Sequence, residues 1–493
     1  MDTLQQHVRR KEFSNWLDVA VAVEIATEEC LPLTLSSPCP WDTDFTFDGY
    51  LTDRPVLYGR QWLIDKVQTS LIGTSSRGVL LTAEMGYGKT TLVSNLLCNS
   101  EFPLRTFILS YHICKFDVIS TQRPEYFIKT LAGMFISRIP EAGNAILTNE
   151  LGMKFLKTSK CSEDPIGCLD AAIIHPLRGL QFDEERYVII DAIDECGDSD
   201  AIAIPLLDVL SKRMGKMPWW LKFFITTRHL EVVTNKFSRL DIFHESSGNI
   251  QNQDDISSFL ADNLFTHTTA LSRMFGAHAD IEKVTKQILG LSGSNFLYVD
   301  LAVKYWIEYR DSQFTDIPES LSELYNANLE RVFGDNMRLY DLARKVFEVL
   351  CTSHKQLSLE ELEAIVNVPG NPYDLRSILR NQMSHFVERT PTYITVHHKG
   401  VCEHLVSNTS VLYKYRINKL NGHKMFGAYL LGKQNLGGSD ILDVSIHVAE
   451  SNDSDLLYSF QNNQHVLQMK TSSGEHFHQM AKKTRIRVQR YFY

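Results

Sequence analysis

One nine-residue string constrains the fold more than any other part of the chain. It is Ala83-Glu84-Met85-Gly86-Tyr87-Gly88-Lys89-Thr90-Thr91, with the apolar run Val79-Leu80-Leu81 before it and a helix-compatible segment, Thr90 to Leu97, after it. Small residues let backbone N–H groups turn inward around phosphates, a lysine reaches the β and γ phosphates, and a hydroxyl holds Mg²⁺. Gly86 and Gly88 supply that backbone, Lys89 the charge, and Thr90 the hydroxyl, with Thr91 next to it in the string. Ala83 stands where such loops usually carry glycine. The bland alternative is a glycine turn with a solvated lysine, and the flanking strand and helix argue against it.

From about residue 55 the chain alternates between two patterns. Apolar strand-like runs fall at Gly78–Thr82, Thr106–Tyr111, Tyr187–Asp191, Lys222–Thr227 and Leu240–His244. Helix-compatible segments such as Thr90–Cys98, Pro124–Ile139 and Ala201–Met214 lie between them. Continuous apolar strands separated by helices predict an α/β fold, a parallel sheet with helices on both faces.

Two further strings belong at the same edge of such a sheet. In Tyr187-Val188-Ile189-Ile190-Asp191 an apolar run ends in an aspartate, which places that carboxylate beside the loop to hold the Mg²⁺ shell. Asp194 and Glu195 follow on the next turn, where either carboxylate can orient and polarise an attacking water. The run Trp220 to Thr227 ends at Arg228, which is either a sensor of the γ phosphate or a surface ion-pair partner.

Beyond the α/β region the strand signal fades. The expected organisation is an adapter over 1–54, a nucleotide-binding domain over 55–250, a helical lid over 251–317, a winged-helix domain over 318–410 and a helical segment over 411–493. Three helix candidates and a β-like stretch, Phe386 to Val396, carry the winged-helix reading. Ser358 with Glu361 has the spacing of a capping box. The last segment has a polar break, Ser451 to Asp455, and a basic run, Lys482–Arg490, read as a solvated face.

Charge and cysteine usage narrow the function classes. The net charge of −9 gives bulk nucleic-acid binding no support. The chain has no apolar stretch of membrane-spanning length, and Met1 to Phe13 lacks the apolar run of a secretory signal. Nine scattered cysteines fit neither a disulfide framework nor a zinc cluster, and His476 and His478 have no further ligands near them in sequence. A reducing, cytoplasmic compartment follows as the expectation.

These strings resemble the STAND class of P-loop ATPases, the NACHT-like signal-transduction switches. Asp191-Ala192-Ile193-Asp194-Glu195 resembles that class's Mg²⁺-binding strand, and Tyr58-Gly59-Arg60-Gln61-Trp62-Leu63 its entry motif beside the adenine. The resemblance implies a five-stranded core with an extra strand inserted between those bearing the loop and the aspartate. Within the class the chain is most similar to the animal TANC proteins and related ankyrin-repeat NTPases. The matching pieces include His112-x-Cys114, Asp164-Pro165, Pro318-x-Ser320-Leu321, Val396-His397-His398-Lys399 and Asn421-Gly422-His423. Tyr87 departs from the family's small residue in the loop, and these 493 residues hold no ankyrin array.

The resemblance implies an ATP/ADP-binding switch with slow hydrolysis, protein partners and nucleotide-dependent oligomers. It also implies that His398 sits near the phosphates and locks the closed state; an ordinary packed histidine is the alternative, as for a turn at Gly293-Ser294-Asn295-Phe296 near the adenine. Without an Asn-Lys-x-Asp base-reading motif, ATP is expected over GTP. The rival readings are a scaffold whose loop binds nucleotide without turnover, and a housekeeping ATPase or small-molecule kinase. A kinase needs a second basic clamp over the transferred phosphate, and residues 92–186 supply no arginine cluster for it.

Overall fold

The computed structural model describes residues 57–467, apart from 73–74, 100–101, 198–203, 247, 267–280, 309–316, 367–373, 391, 434–435, 437 and 465. The expected adapter, the basic run Lys482–Arg490 and His476 and His478 lie outside the described residues.

Five strands form one sheet: β1 (Gly78–Ala83), β2 (Ile108–Ile113), β3 (Arg186–Asp191), β4 (Leu221–Thr227) and β5 (Asp241–Glu245). All neighbours pair in parallel, in the order β2-β3-β4-β1-β5. β4 therefore lies between the strands carrying the loop and the aspartate, as the resemblance implied. β1, β2 and β4 are buried along their whole length. Burial on both faces is the reason β1 reads as a near-continuous apolar run, while β2 and β4 bury Ser110, His112, Lys222, Thr226 and Thr227 among their apolar residues. β5 is an edge strand, and its residues from Asp241 to His244 are only partly buried or exposed.

Helices α1 (Gln61–Leu71), α2 (Lys89–Cys98), α3 (Pro124–Arg138), α4 (Pro140–Leu147), α5 (Glu150–Lys157) and α6 (Pro205–Arg213) belong to this half of the chain. Proline at the first turn of α3, α4 and α6 fits helix starts, where its missing N–H has no intrahelical partner. One apolar core runs from Leu63 to Leu240. A second runs from Ile256 to Val466.

The second core is helical: α7 (Ile250–Thr266), α8 (Ile281–Leu291), α9 (Phe296–Glu308), α10 (Leu321–Phe333), α11 (Met337–Leu350), α12 (Leu359–Val366) and α13 (Leu375–Asn381). A two-stranded antiparallel hairpin, β6 (Val387–Arg389) and β7 (Ile394–Val396), follows, with Val387 opposite Val396. Then come α14 (Lys399–Val406), α15 (Lys419–Leu431), α16 (Gly438–Ser451) and α17 (Ser454–Gln461). The capping box forms as spaced: Ser358 Oγ accepts from Glu361 N–H, and Ser358 N–H donates to Glu361 Oε2, each at 3.2 Å. The polar break holds a left-handed Asn452 and Asp453, whose side chain caps α17.

Two expectations change. Within 318–406, four described helices (α10–α13) rather than three precede the hairpin: α13 buries only Ile378 and Leu379, too few to produce a periodic signal, and is started by the Asp374 cap. The expectation of no disulfide framework also changes among the described residues. Disulfides join Cys114 to Cys196, Cys161 to Cys168 and Cys351 to Cys402. Sequence spacing could not show the first or third, because the fold brings together positions 82 and 51 residues apart. No helix among the described residues is long and apolar enough to cross a membrane.

Candidate functional site

Because the strands run parallel, whatever follows Ala83, Ile113, Asp191 and Thr227 collects at one edge of the sheet. The loop after β1 has left-handed glycines at Gly86 (φ 79°) and Gly88 (φ 91°). A side chain at Gly86 would also overlap Asn295, whose Nδ2 donates to Met85 O at 2.6 Å. Phe296 N–H donates to Gly86 O at 3.0 Å. The Gly293-Ser294 turn, both residues left-handed, thus brings the start of α9 onto the outer face of the loop. At Gly88 a Cβ would meet nothing within 4 Å, so open space borders the loop there.

Tyr87 leaves the interior of the loop. Its ring is 3% exposed and lies under the Arg60 guanidinium, 4.2 Å from the ring centroid, with Phe296 on the same cation at 4.8 Å. Arg60 is itself buried, donates to Tyr87 O at 2.6 Å and pairs with Asp255. Arg60 thus ties Tyr87 of the loop to Phe296 at the start of α9 and to Asp255 of α7.

Lys89 opens α2 and donates to Ala83 O (2.7 Å) and Glu84 O (2.9 Å). Burial lowers its ammonium from the usual range, opposed by the Asp194 and Asp191 carboxylates, so these groups share one field. Asp191 is fully buried at the end of β3 and accepts from Thr226 Oγ1 at 2.5 Å; that hydroxyl in turn accepts from Ala192 N–H at 2.9 Å. Ala192 is left-handed (φ 53°), a conformation uncommon outside glycine and worst for β-branched residues. Thr90 on the first turn of α2 and Asp191 are hard oxygen donors of the kind Mg²⁺ takes, and with the open space at Gly88 they fit a Mg²⁺–phosphate group.

The two acids of the next turn are in different environments. Asp194 is taken up by Arg228: Oδ2 accepts from Nε at 2.8 Å and Oδ1 from the Arg228 backbone at 3.2 Å. Glu195 accepts from Phe116 N–H at 3.3 Å. Protein surrounds it although it keeps some solvent contact, and desolvation, followed by the Asp194 charge, pushes its carboxyl up to about 7. Lys399 and Arg228 oppose that rise.

Residues from the second core complete the edge. Arg228 Nη1 donates to Glu403 Oε2 on α14 at 3.0 Å. Thr395 Oγ1 donates to Asp117 Oδ2 at 2.7 Å. A side chain at Gly400 would overlap Met85 of the loop. His398 caps α14, its Nδ1 accepting from Gly400 N–H at 3.0 Å, whereas His397 contacts Ser384 O at 2.9 Å. His398 is therefore the histidine on the loop side. Sequence reasoning gives no role to Glu403, Lys399, Phe116 or Thr226; the polar end of β4 is the signal for Thr226, and the His397-His398-Lys399 string is the signal for Lys399.

A phosphate loop on β1, a buried aspartate closing β3, and between them β4 with its Thr226-Thr227 end at the same edge define a P-loop NTPase. The family model described as Nephrocystin 3, N-terminal, matches residues 59–228. Among solved structures, the Walker-type ATPase PABY2304 of Pyrococcus abyssi is similar at a TM-score of 0.33 and 14% identity, covering 72% of this chain and 99% of that one. Cdc6p from Pyrobaculum aerophilum is similar at 0.32 and 13%, covering 72% and 97%.

Proposed function

We propose that the chain is an ATP-binding molecular switch of the STAND type, with slow hydrolysis and with residues 318–410 acting as a winged-helix lid. The observation that carries this reading is the docking of α14 on the nucleotide edge through Arg228 and Glu403, beside Lys89, Asp191 and Glu195.

Lys89 and the amides of Gly86 and Gly88 bind the phosphates, and Thr90 and Asp191 hold Mg²⁺, with Thr91 following in the same helical turn. Mg²⁺ held by these residues would supply charge neutralisation at the phosphates. Glu195, rather than Asp194, orients the attacking water and takes its proton, because Asp194 is committed to Arg228 and a carboxyl near 7 is poised for that role. Arg228 reports the γ phosphate by changing partners between Glu403 and the nucleotide. His398 stands at the cap of α14 where a phosphate contact would tighten the lid, and release of the lid exposes a surface for protein partners or self-association.

A thermal-shift titration with ATP, ADP and GTP plus Mg²⁺, on wild type and Lys89→Ala, tests the reading. Ligand at about a hundred times its dissociation constant adds roughly 2.7 kcal/mol. Stabilisation by adenine nucleotides that Lys89→Ala removes is the expected result. No shift, together with no nucleotide released on denaturation, contradicts it.

A further inference from the structure

Cys114 directly follows β2, and Cys196 directly follows Glu195; a disulfide joins them. Both are buried, 1% and 0% exposed. Hydrogen bonds tie the same segments together. Cys114 N–H donates to Asp191 O at 3.0 Å, and two residues on, Phe116 N–H donates to Glu195 Oε2 at 3.3 Å. The bridge and the Phe116 amide are thus two links between the end of β2 and the acidic turn, and Glu195 sits between them.

We propose that Cys114 and Cys196 are a reversible redox site: a dithiol reductant opens the bridge and loosens Glu195 from its place. A thiolate of the dithiol attacks one bridge sulfur, and the other cysteine leaves as a thiolate and takes up a proton. The second thiolate of the dithiol then displaces the first cysteine and closes its own disulfide, so two electrons and two protons pass to the protein. The effect on turnover rests on the nucleotide reading above; the effect on the Glu195 contact does not.

Reduction replaces a bond of about 2 Å by a contact of roughly 3.5–4 Å. In a close-packed interior that extra length is taken up by the backbone. The two Cα atoms, 5.0 Å apart, separate, and the Phe116 amide moves relative to the Glu195 carboxylate. His112 gives no help to a thiolate. Its Nε2 lies 3.9 Å from Cys196 Sγ but donates to Thr121 O at 2.7 Å, and desolvation holds the ring neutral, with its pKa down to about 4. The reduced pair remains two thiols, weak nucleophiles that need a disulfide or peroxide oxidant to close again.

Hydrogen exchange by mass spectrometry on peptides spanning 114–118 and 192–197, in the full chain before and after equilibration with dithiothreitol, tests the site, with alkylation to count thiols. Cys114 and Cys196 are expected to alkylate, and exchange in both peptides to speed up about tenfold. Cys114→Ser with Cys196→Ser exchanges fast in either condition, and Cys161→Ser with Cys168→Ser responds as wild type does. A pair that stays unalkylated in the folded protein, or a reduced pair with unchanged exchange, overturns the proposal. ATP turnover in the same samples falls on reduction; turnover that is measurable but identical in both states overturns the link to Glu195. Absence of turnover in both states counts against the nucleotide reading alone, because the exchange result decides the redox site by itself.

Discussion

Arg228 Nη1 lies 3.0 Å from Glu403 Oε2 while its Nε lies 2.8 Å from Asp194 Oδ2. One guanidinium therefore joins the end of β4, the acidic turn after β3 and α14. The two halves of this bridge differ in strength. Asp194 is 3% exposed, whereas Glu403 is 41% exposed and its pair is screened by solvent. Arg228→Ala strands a buried carboxylate and is expected to cost about 3 kcal/mol in urea unfolding. Glu403→Ala is expected to cost under about 1 kcal/mol.

Asn295 holds the loop from behind. Its Nδ2 donates to Met85 O, and its Oδ1 accepts from Tyr298 N–H at 3.0 Å, capping α9. Asn295→Ala is expected to lose about 1–2 kcal/mol of stability, the usual value of a cap. Loss of the Met85 hydrogen bond weakens ADP affinity about tenfold. Calorimetric titration measures the second effect, and an unchanged affinity refutes the positioning role.

On the proposed mechanism, Glu195 sets the pH profile of hydrolysis. With its carboxyl near 7, turnover rises between about pH 6 and 8 and then levels off. Glu195→Gln lowers turnover roughly 10²- to 10⁴-fold with nucleotide binding retained. A raised acid favours the fold when protonated: its stability contribution is complete below its unfolded value of 4.5 and is lost as pH rises through about 7. Glu195→Gln therefore raises the melting temperature above pH 7, and a lower melting temperature there contradicts the assignment.

Buried histidines set acid stability. Desolvation lowers His112, His354 and His404 to about 4 and His423 to about 3, from 6.5. His423 Nδ1 also lies 2.9 Å from His447 Nδ1, which leaves no room for two charges. Below 6.5 the unfolded chain binds protons that the fold does not, so stability is complete above 6.5 and falls as pH drops towards the folded values. Each histidine contributes about 1.4 kcal/mol per pH unit in that window. Denaturant titrations from pH 7 to 4.5 measure the slope, and His423→Gln is expected to reduce it by one histidine's share.

What was legible in the sequence was local. The runs Val79-Leu80-Leu81 and Tyr187 to Ile190 are continuously apolar because both sheet faces are covered, and the Ser358–Glu361 box is complete within four residues. The loop, Asp191, Asp194, Glu195 and Arg228 do meet at one edge because parallel strands end together. What was not legible depends on distant partners. The direction of Tyr87 is set by Arg60 and Phe296, and the pairing of Arg228 with Glu403 spans 175 positions. Two of the sulfur pairs belong to the same category: Cys114 finds Cys196 only once β2 lies beside β3, and Cys351 finds Cys402 across 51 positions.

The dissociation rate of a fluorescent ADP analogue from wild type and Glu403→Gln tests the coupling between lid and nucleotide most directly. Glu403→Gln keeps the side chain's size and a hydrogen-bond acceptor but removes its charge, so α14 loses the ionic part of its hold on Arg228 while the phosphate loop is untouched. A solvent-screened pair worth about 0.5–1 kcal/mol predicts release roughly two- to five-fold faster. Release at the wild-type rate, or slower, would contradict a lid held shut through Arg228.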